Sequence, residues 1–186
     1  WQQATKSGWP GWLWYWQGLV VRKADQVIVP SHYLAKLVEG WGASSEKIAV
    51  IYNGADFHPS ELTKEQSRQK IGIAGNILLY WGRLAPWKGL RMIIKIMPKL
   101  LEINQFFRLV IIGSGPEEKS LRAMIENMRL EKKVYLVGQK NQTDLADYLA
   151  AAEMFILNTA YEGFSHDILE AMLAGSKNRP LMVALV

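Results

Sequence analysis

A chain of 186 residues, 49% of them hydrophobic, can build one ordinary domain and part of another, and no biased tract marks it as disordered. Without cysteine it has neither a disulfide framework nor a thiolate metal site, and three scattered histidines (His32, His58, His166) make no imidazole cluster. The net charge of +5 is spread over short pairs such as Arg22-Lys23 and Lys132-Lys133, not the long basic stripe of a nucleic-acid binder; no nucleic-acid partner is expected, and an anionic small ligand or membrane surface fits better.

The chain opens on aromatics. WPGWLWYWQGLVV brings Trp9, Trp12, Trp14, Tyr15 and Trp16 close together. The run falls short of the ~20 apolar residues a spanning helix needs, and it lacks the cationic start and cleavage site of a signal peptide. Aromatics of this kind suit a membrane interface, or they pack on a neighbouring part of a larger protein. With no initiator methionine, the chain is expected to be a piece of something longer.

Regular elements follow. QVIVP (Gln26 to Pro30) predicts a strand, and Ser31 caps a helix whose Leu34, Leu37 and Val38 fall at helical spacing. KIAVIYNG (Lys47 to Gly54) predicts a second strand, stopped by Asn53-Gly54. Asp56 to Pro59 reads as a connector, with Ser60 capping a polar helix. Then strands and helices alternate. NILLYWG, FRLVIIG, KVYLVG, MFILN and PLMVALV predict strands from Asn76, Phe107, Lys133, Met154 and Pro180. Helices are predicted over Lys88 to Ile103 (kinked near Pro98), Pro116 to Met128 (Pro at its first position), Thr143 to Ala152 (Thr-capped) and Ser165 to Gly175. The strands are continuously apolar, so helices should cover both faces of a parallel, doubly wound α/β sheet.

In such sheets ligands sit beyond the carboxyl ends of the strands, which makes the exit loops informative. GRLAPWKG (Gly82 to Gly89) pairs Arg83 with Lys88 ahead of a helix; the two cations suit a diphosphate, although solvated surface charges would read the same way. GSGPEE (Gly113 to Glu118) lacks the third glycine of the dinucleotide fingerprint, and Glu117 and Glu118 would repel phosphate, so a nicotinamide enzyme is a weak reading. In YEGFSHDILEA (Tyr161 to Ala171) a loop acid, Glu162, and a helix acid, Glu170, flank the N–H groups of Phe164, Ser165 and His166. That order matches sugar, diphosphate and ribose; two surface acids around a helix cap are the plain alternative.

At these residues the chain resembles the group 1 glycosyltransferases, retaining enzymes of GT-B fold, over residues 24–175. The E-x7-E signature falls on Glu162 and Glu170, GRL-x3-KG on residues 82–89, and GSGPEE, VGQ and VIYNGAD also have counterparts. The resemblance implies transfer of a sugar from a UDP- or GDP-sugar donor, without metal or other cofactor. It implies that Arg83 and Lys88 hold the diphosphate, assisted by the amides of Gly163, Phe164 and Ser165. Glu162 would orient the sugar and Glu170 the ribose, while Gly82 and Gly115 line the donor site and Gly138 and Gln139 face the base. Residues 1–57 would be the tail of the acceptor-side domain and 58–186 the donor domain. Both ends look truncated, so the missing acceptor-side domain becomes a partner and this piece alone would be inactive. A cytoplasmic location, peripheral at a membrane, would follow for a transferase acting on a glycan or lipid-linked acceptor. A non-catalytic binding module docking through its aromatic start and a GT-B sugar-nucleotide epimerase remain alternatives.

Overall fold

The computed structural model describes residues 11–159, 165–175 and 182–185. The chain divides into two compact units between Gly54 and Ala55, with Ser165 grouped with the first.

In the first unit, helix α1 (Gly11–Lys23) takes up much of the aromatic run and ends on Arg22 and Lys23, cations at the negative end of its dipole. Strands β1 (Val27–Val29) and β2 (Ile48–Val50) pair in parallel, with α2 (His32–Gly40) between them. Ser31, in extended conformation, accepts from the Leu34 amide at 3.2 Å, as its position predicts. Val29, Val38 and Ala43 form the small core. β2 is shorter than the apolar run suggests: it stops at Val50, and Ile51 and Tyr52 are exposed.

The second unit is the α/β domain that the alternation predicts. Its elements are α3 (Lys64–Ile71), β3 (Asn76–Trp81), α4 (Leu90–Ile103), β4 (Phe107–Ile112), α5 (Glu118–Asn127), β5 (Val134–Gly138), α6 (Gln142–Ala151), β6 (Met154–Leu157), α7 (His166–Gly175) and β7 (Met182–Leu185). The five strands are parallel in the order β5-β4-β3-β6-β7. Ile77 and Leu79 to one side of β3, Leu78 and Tyr80 to the other, and Leu109 to Ile112 of β4 are all buried. Continuous apolar sequence thus reflects cover on both faces. Each Leu or Ile so buried stabilises by roughly 1.5–3 kcal/mol. The register of β4 on β5 slips after Ile111, so Val137 is bulged and Gly138 lies opposite Ile112.

Several boundaries differ from expectation, each for a local reason. Ser60 does not cap α3. Thr63 does, because only Thr63 has a Gln three residues on: the Gln66 amide donates to the Thr63 hydroxyl and the Thr63 amide to the Gln66 side chain. Ser60 instead donates to buried Asp147 at 2.5 Å. Asn141, not Thr143, caps α6, accepting from the Asp144 amide at 2.7 Å. α5 begins at Glu118, so Pro116 lies before the helix and not at its first position. Lys88 belongs to a 3-10 turn, Pro86–Lys88, and α4 starts at Leu90.

Candidate functional site

The strand order reverses at β3: its chain neighbour β4 lies on one side and β6 on the other. The crevice at that switch point is where a doubly wound sheet receives ligands. Three exit loops meet there through main chain. The Gly82 amide donates to the Ile112 carbonyl at 3.1 Å, Leu84 to Ser114 at 2.9 Å, and Gly113 to Gly138 at 2.9 Å. Gly113 must be glycine twice over. Its φ is 135°, and a Cβ there would collide with the Gly82 carbonyl.

These loops floor a cleft of about 640 Å³ into which Arg83, Gln139, Lys140 and Asp167 project alongside Gly82 and Gly113 to Gly115. Arg83 is exposed, its carbonyl accepts from the buried Tyr80 hydroxyl at 2.9 Å, and its guanidinium lies 5.9 Å from the Trp87 ring centroid. Lys88 is buried, with its ammonium 3.3 Å from the Asp167 carboxylate in the first turn of α7. That pairing joins the β3 exit to the start of α7. The Lys140 ammonium sits 6.0 Å from the Tyr148 ring centroid. Three cations stand at or beside one opening, an arrangement that attracts a polyanion.

The objection that Glu117 would repel phosphate loses force. Glu117 is buried and bound by the Arg91 guanidinium at 2.6 Å, and Glu118 pairs with Arg122 at 3.3 Å. Among the described residues no three His, Cys, Asp or Glu side chains are grouped to hold a metal ion.

Of the residues singled out in the sequence, Gly82, Arg83, Gly115 and Gln139 line the cleft, and Lys88 adjoins it through Asp167. Gly138 does not line it; its carbonyl ties down Gly113. Glu170 lies one helical turn beyond Asp167 and is half-buried outside the cleft lining. Burial raises its carboxyl above the ordinary range, the charge of Asp167 adds to this, and His166 opposes it. Ser165 is buried, and its hydroxyl has no hydrogen-bond partner among the described residues. Glu162, Gly163 and Phe164 lie outside the described residues. The sequence reading passed over Asp167 and Lys140. An acid in a first helical turn reads as an ordinary dipole partner, and Lys140 follows Gln139 without any motif of its own.

The chain matches the family model of group 1 glycosyl transferases over residues 63–176 and that of glycosyltransferase family 4 over residues 1–58. It is 31% identical to the mannosylfructose-phosphate synthase of Agrobacterium fabrum, across 85% of this chain and 38% of that protein. It superposes on the crystal structure of Anabaena HepE in complex with UDP and glucose with a TM-score of 0.73 at 27% identity, covering 90% of this chain and 46% of that one. The fold is also that of sucrose-phosphate synthase from Thermosynechococcus elongatus, with a TM-score of 0.77 at 22% identity and coverage of 94% and 44%. The chain therefore spans less than half the length of these relatives. An α/β sheet with this strand order, the ordered exit loops and the family match together make the chain a member of the group 1 glycosyltransferases, with a GT-B-type fold.

Proposed function

We propose that this chain is the donor-binding part of a retaining glycosyltransferase that takes its sugar from a UDP- or GDP-sugar. The observation that carries the reading is the cleft at the switch point, with Arg83 in it and the buried Lys88 beside it. Arg83 and Lys88 bind the diphosphate and stabilise the charge that develops on it as the glycosidic bond breaks, with no metal required for that purpose. Lys88 exchanges its ion pair with Asp167 for phosphate oxygens. Main-chain amides of Gly163, Phe164 and Ser165 complete the phosphate site. Glu170 accepts from the ribose hydroxyls, Glu162 orients the donor sugar, and Gly82, Gly115 and Gln139 shape the base and phosphate side of the cleft, with Gly138 acting behind them by holding Gly113. Crystallised HepE, which carries UDP and glucose, supports a nucleotide donor of this class.

Residues 1–57 are read as acceptor-side and 58–186 as the donor domain. Parallel strands are ordinarily covered on both faces, whereas β1 leaves Ile28 exposed, which favours an acceptor-side domain extending beyond these strands. No described helix is long and apolar enough to cross a membrane. The exposed Tyr15 and Trp16 of α1 favour peripheral contact, with the enzyme at the cytoplasmic face where it would meet a glycan or lipid-linked acceptor. Nucleic acid has no place in this scheme.

The test is titration calorimetry with UDP- and GDP-sugars. One of them binds, and Glu170→Ala weakens it about tenfold, as expected for losing hydrogen bonds to a charged acceptor. Failure of both donors to bind overturns the reading; binding indifferent to Glu170→Ala removes the ribose role alone.

A further inference from the structure

The turn that carries Lys88 is held from across the switch point. Pro86–Lys88 form a 3-10 turn after β3, while Asn158 and Thr159 are the first residues to leave β6. The Asn158 side-chain amide donates to the Gly89 carbonyl at 3.1 Å, and the Thr159 hydroxyl donates to the Trp87 carbonyl at 3.3 Å. Main chain meets main chain at the same place. Gly89 has a φ of 64°, and a Cβ on it would collide with the Asn158 carbonyl.

The turn does not need these bonds to close. Its own Lys88 amide donates to Ala85 at 3.0 Å and its Gly89 amide to Pro86 at 3.3 Å. What Asn158 and Thr159 set is where the turn sits against the sheet. That matters because the turn bears both supports of the cation pair: the Lys88 stem itself and the Trp87 ring beneath the Arg83 guanidinium. A long cationic side chain assists an oxyanion only when its placement is fixed before the charge develops.

We propose that Asn158 and Thr159 are positioning residues that clamp the turn at residues 86–89 to the exit of β6, and so set Arg83 and Lys88 at the spacing a diphosphate requires. The inference rests on the donor reading above. It assigns these two residues a role through the turn, with no contact of their own to the ligand.

The clamp is tested with Asn158→Ala and Thr159→Val, which remove the donors, and Thr159→Ser, which keeps the hydroxyl. Affinities for UDP, uridine, GDP and guanosine are measured by calorimetry, and backbone hydrogen exchange of the ligand-free chain by mass spectrometry. The first two variants should each weaken the bound diphosphate about three- to tenfold while leaving the matching nucleoside unchanged. Exchange should quicken only in peptides covering residues 84–92, and Thr159→Ser should behave as wild type. Equal loss for diphosphate and nucleoside, with exchange raised throughout, would mean general loosening and would overturn the proposal. So would unchanged exchange over residues 84–92 in Asn158→Ala. A wild-type chain that bound neither diphosphate would overturn the donor reading and the role given to the clamp, while localised exchange would still establish the clamp itself.

Discussion

Glu170 sits half-buried on α7, where burial first and the charge of Asp167 second hold its carboxyl above the ordinary 4.5, against the pull of His166. An ionised carboxylate is the stronger acceptor for a ribose hydroxyl. On the proposed ribose role, donor affinity should therefore decline as pH falls through a range above that of an exposed carboxylate, and Glu170→Gln should flatten the decline in calorimetric titrations run at successively lower pH. For folding the sign is separate. A carboxyl whose folded pKa exceeds its unfolded value binds a proton more readily when folded, so its contribution to stability grows as pH falls and is unfavourable above that range. Single residues were legible where chemistry and position coincided. Arg83 and Lys88 stood out because they follow a strand and precede a helix. Asp167 did not, because an acid in a first turn is what any helix favours, and its pairing with Lys88 spans 79 residues of chain. Comparable separations, 69 residues from Asn158 to Gly89 and 72 from Thr159 to Trp87, hid those two side chains as well.

Elements were read better in their interiors than at their ends. The continuous apolar runs marked the described strands of the larger unit, and in β3, β4 and β6 burial on both faces leaves no alternation to misread. Helix starts depended on which of several adjacent polar residues won the cap, and that is decided three residues downstream. Thr63→Ala should cost about 0.5–2 kcal/mol in urea unfolding, the range for losing such a cap. Ser60→Ala acts elsewhere, through buried Asp147, which also binds the Lys70 ammonium at 2.6 Å. Its hydrogen bond to Asp147 and that carboxylate's charge hold Lys70 above its ordinary 10.5. That contribution is complete below the ordinary value and lost as pH rises through the folded one. The aromatic segment was the main gap. Its helix α1 went unrecognised because tryptophans crowded on neighbouring positions show no helical period.

The whole molecule carries a charge of +5, and three of its cations, Arg83, Lys88 and Lys140, stand at or beside the cleft. A field of this sign should speed the approach of an anionic donor, so the association rate of UDP, followed by stopped flow, should fall severalfold from about 50 mM to 500 mM salt. A neutral nucleoside should show little change. The fold class and the parallel sense of the strands followed from strand–helix alternation, because parallel strands need crossovers; the strand order β5-β4-β3-β6-β7 did not. What alternation could not supply was the meeting of three exits by main chain, with Gly113 against Gly82 and Gly115 against Leu84. That meeting carries a consequence for how such a site can diversify. A ligand here rests on a platform with almost no side chains to exchange, so mutation has little purchase on its contour. Changes in donor preference must then come from the wall residues, above all Gln139 and Lys140, while the platform beneath stays as it is.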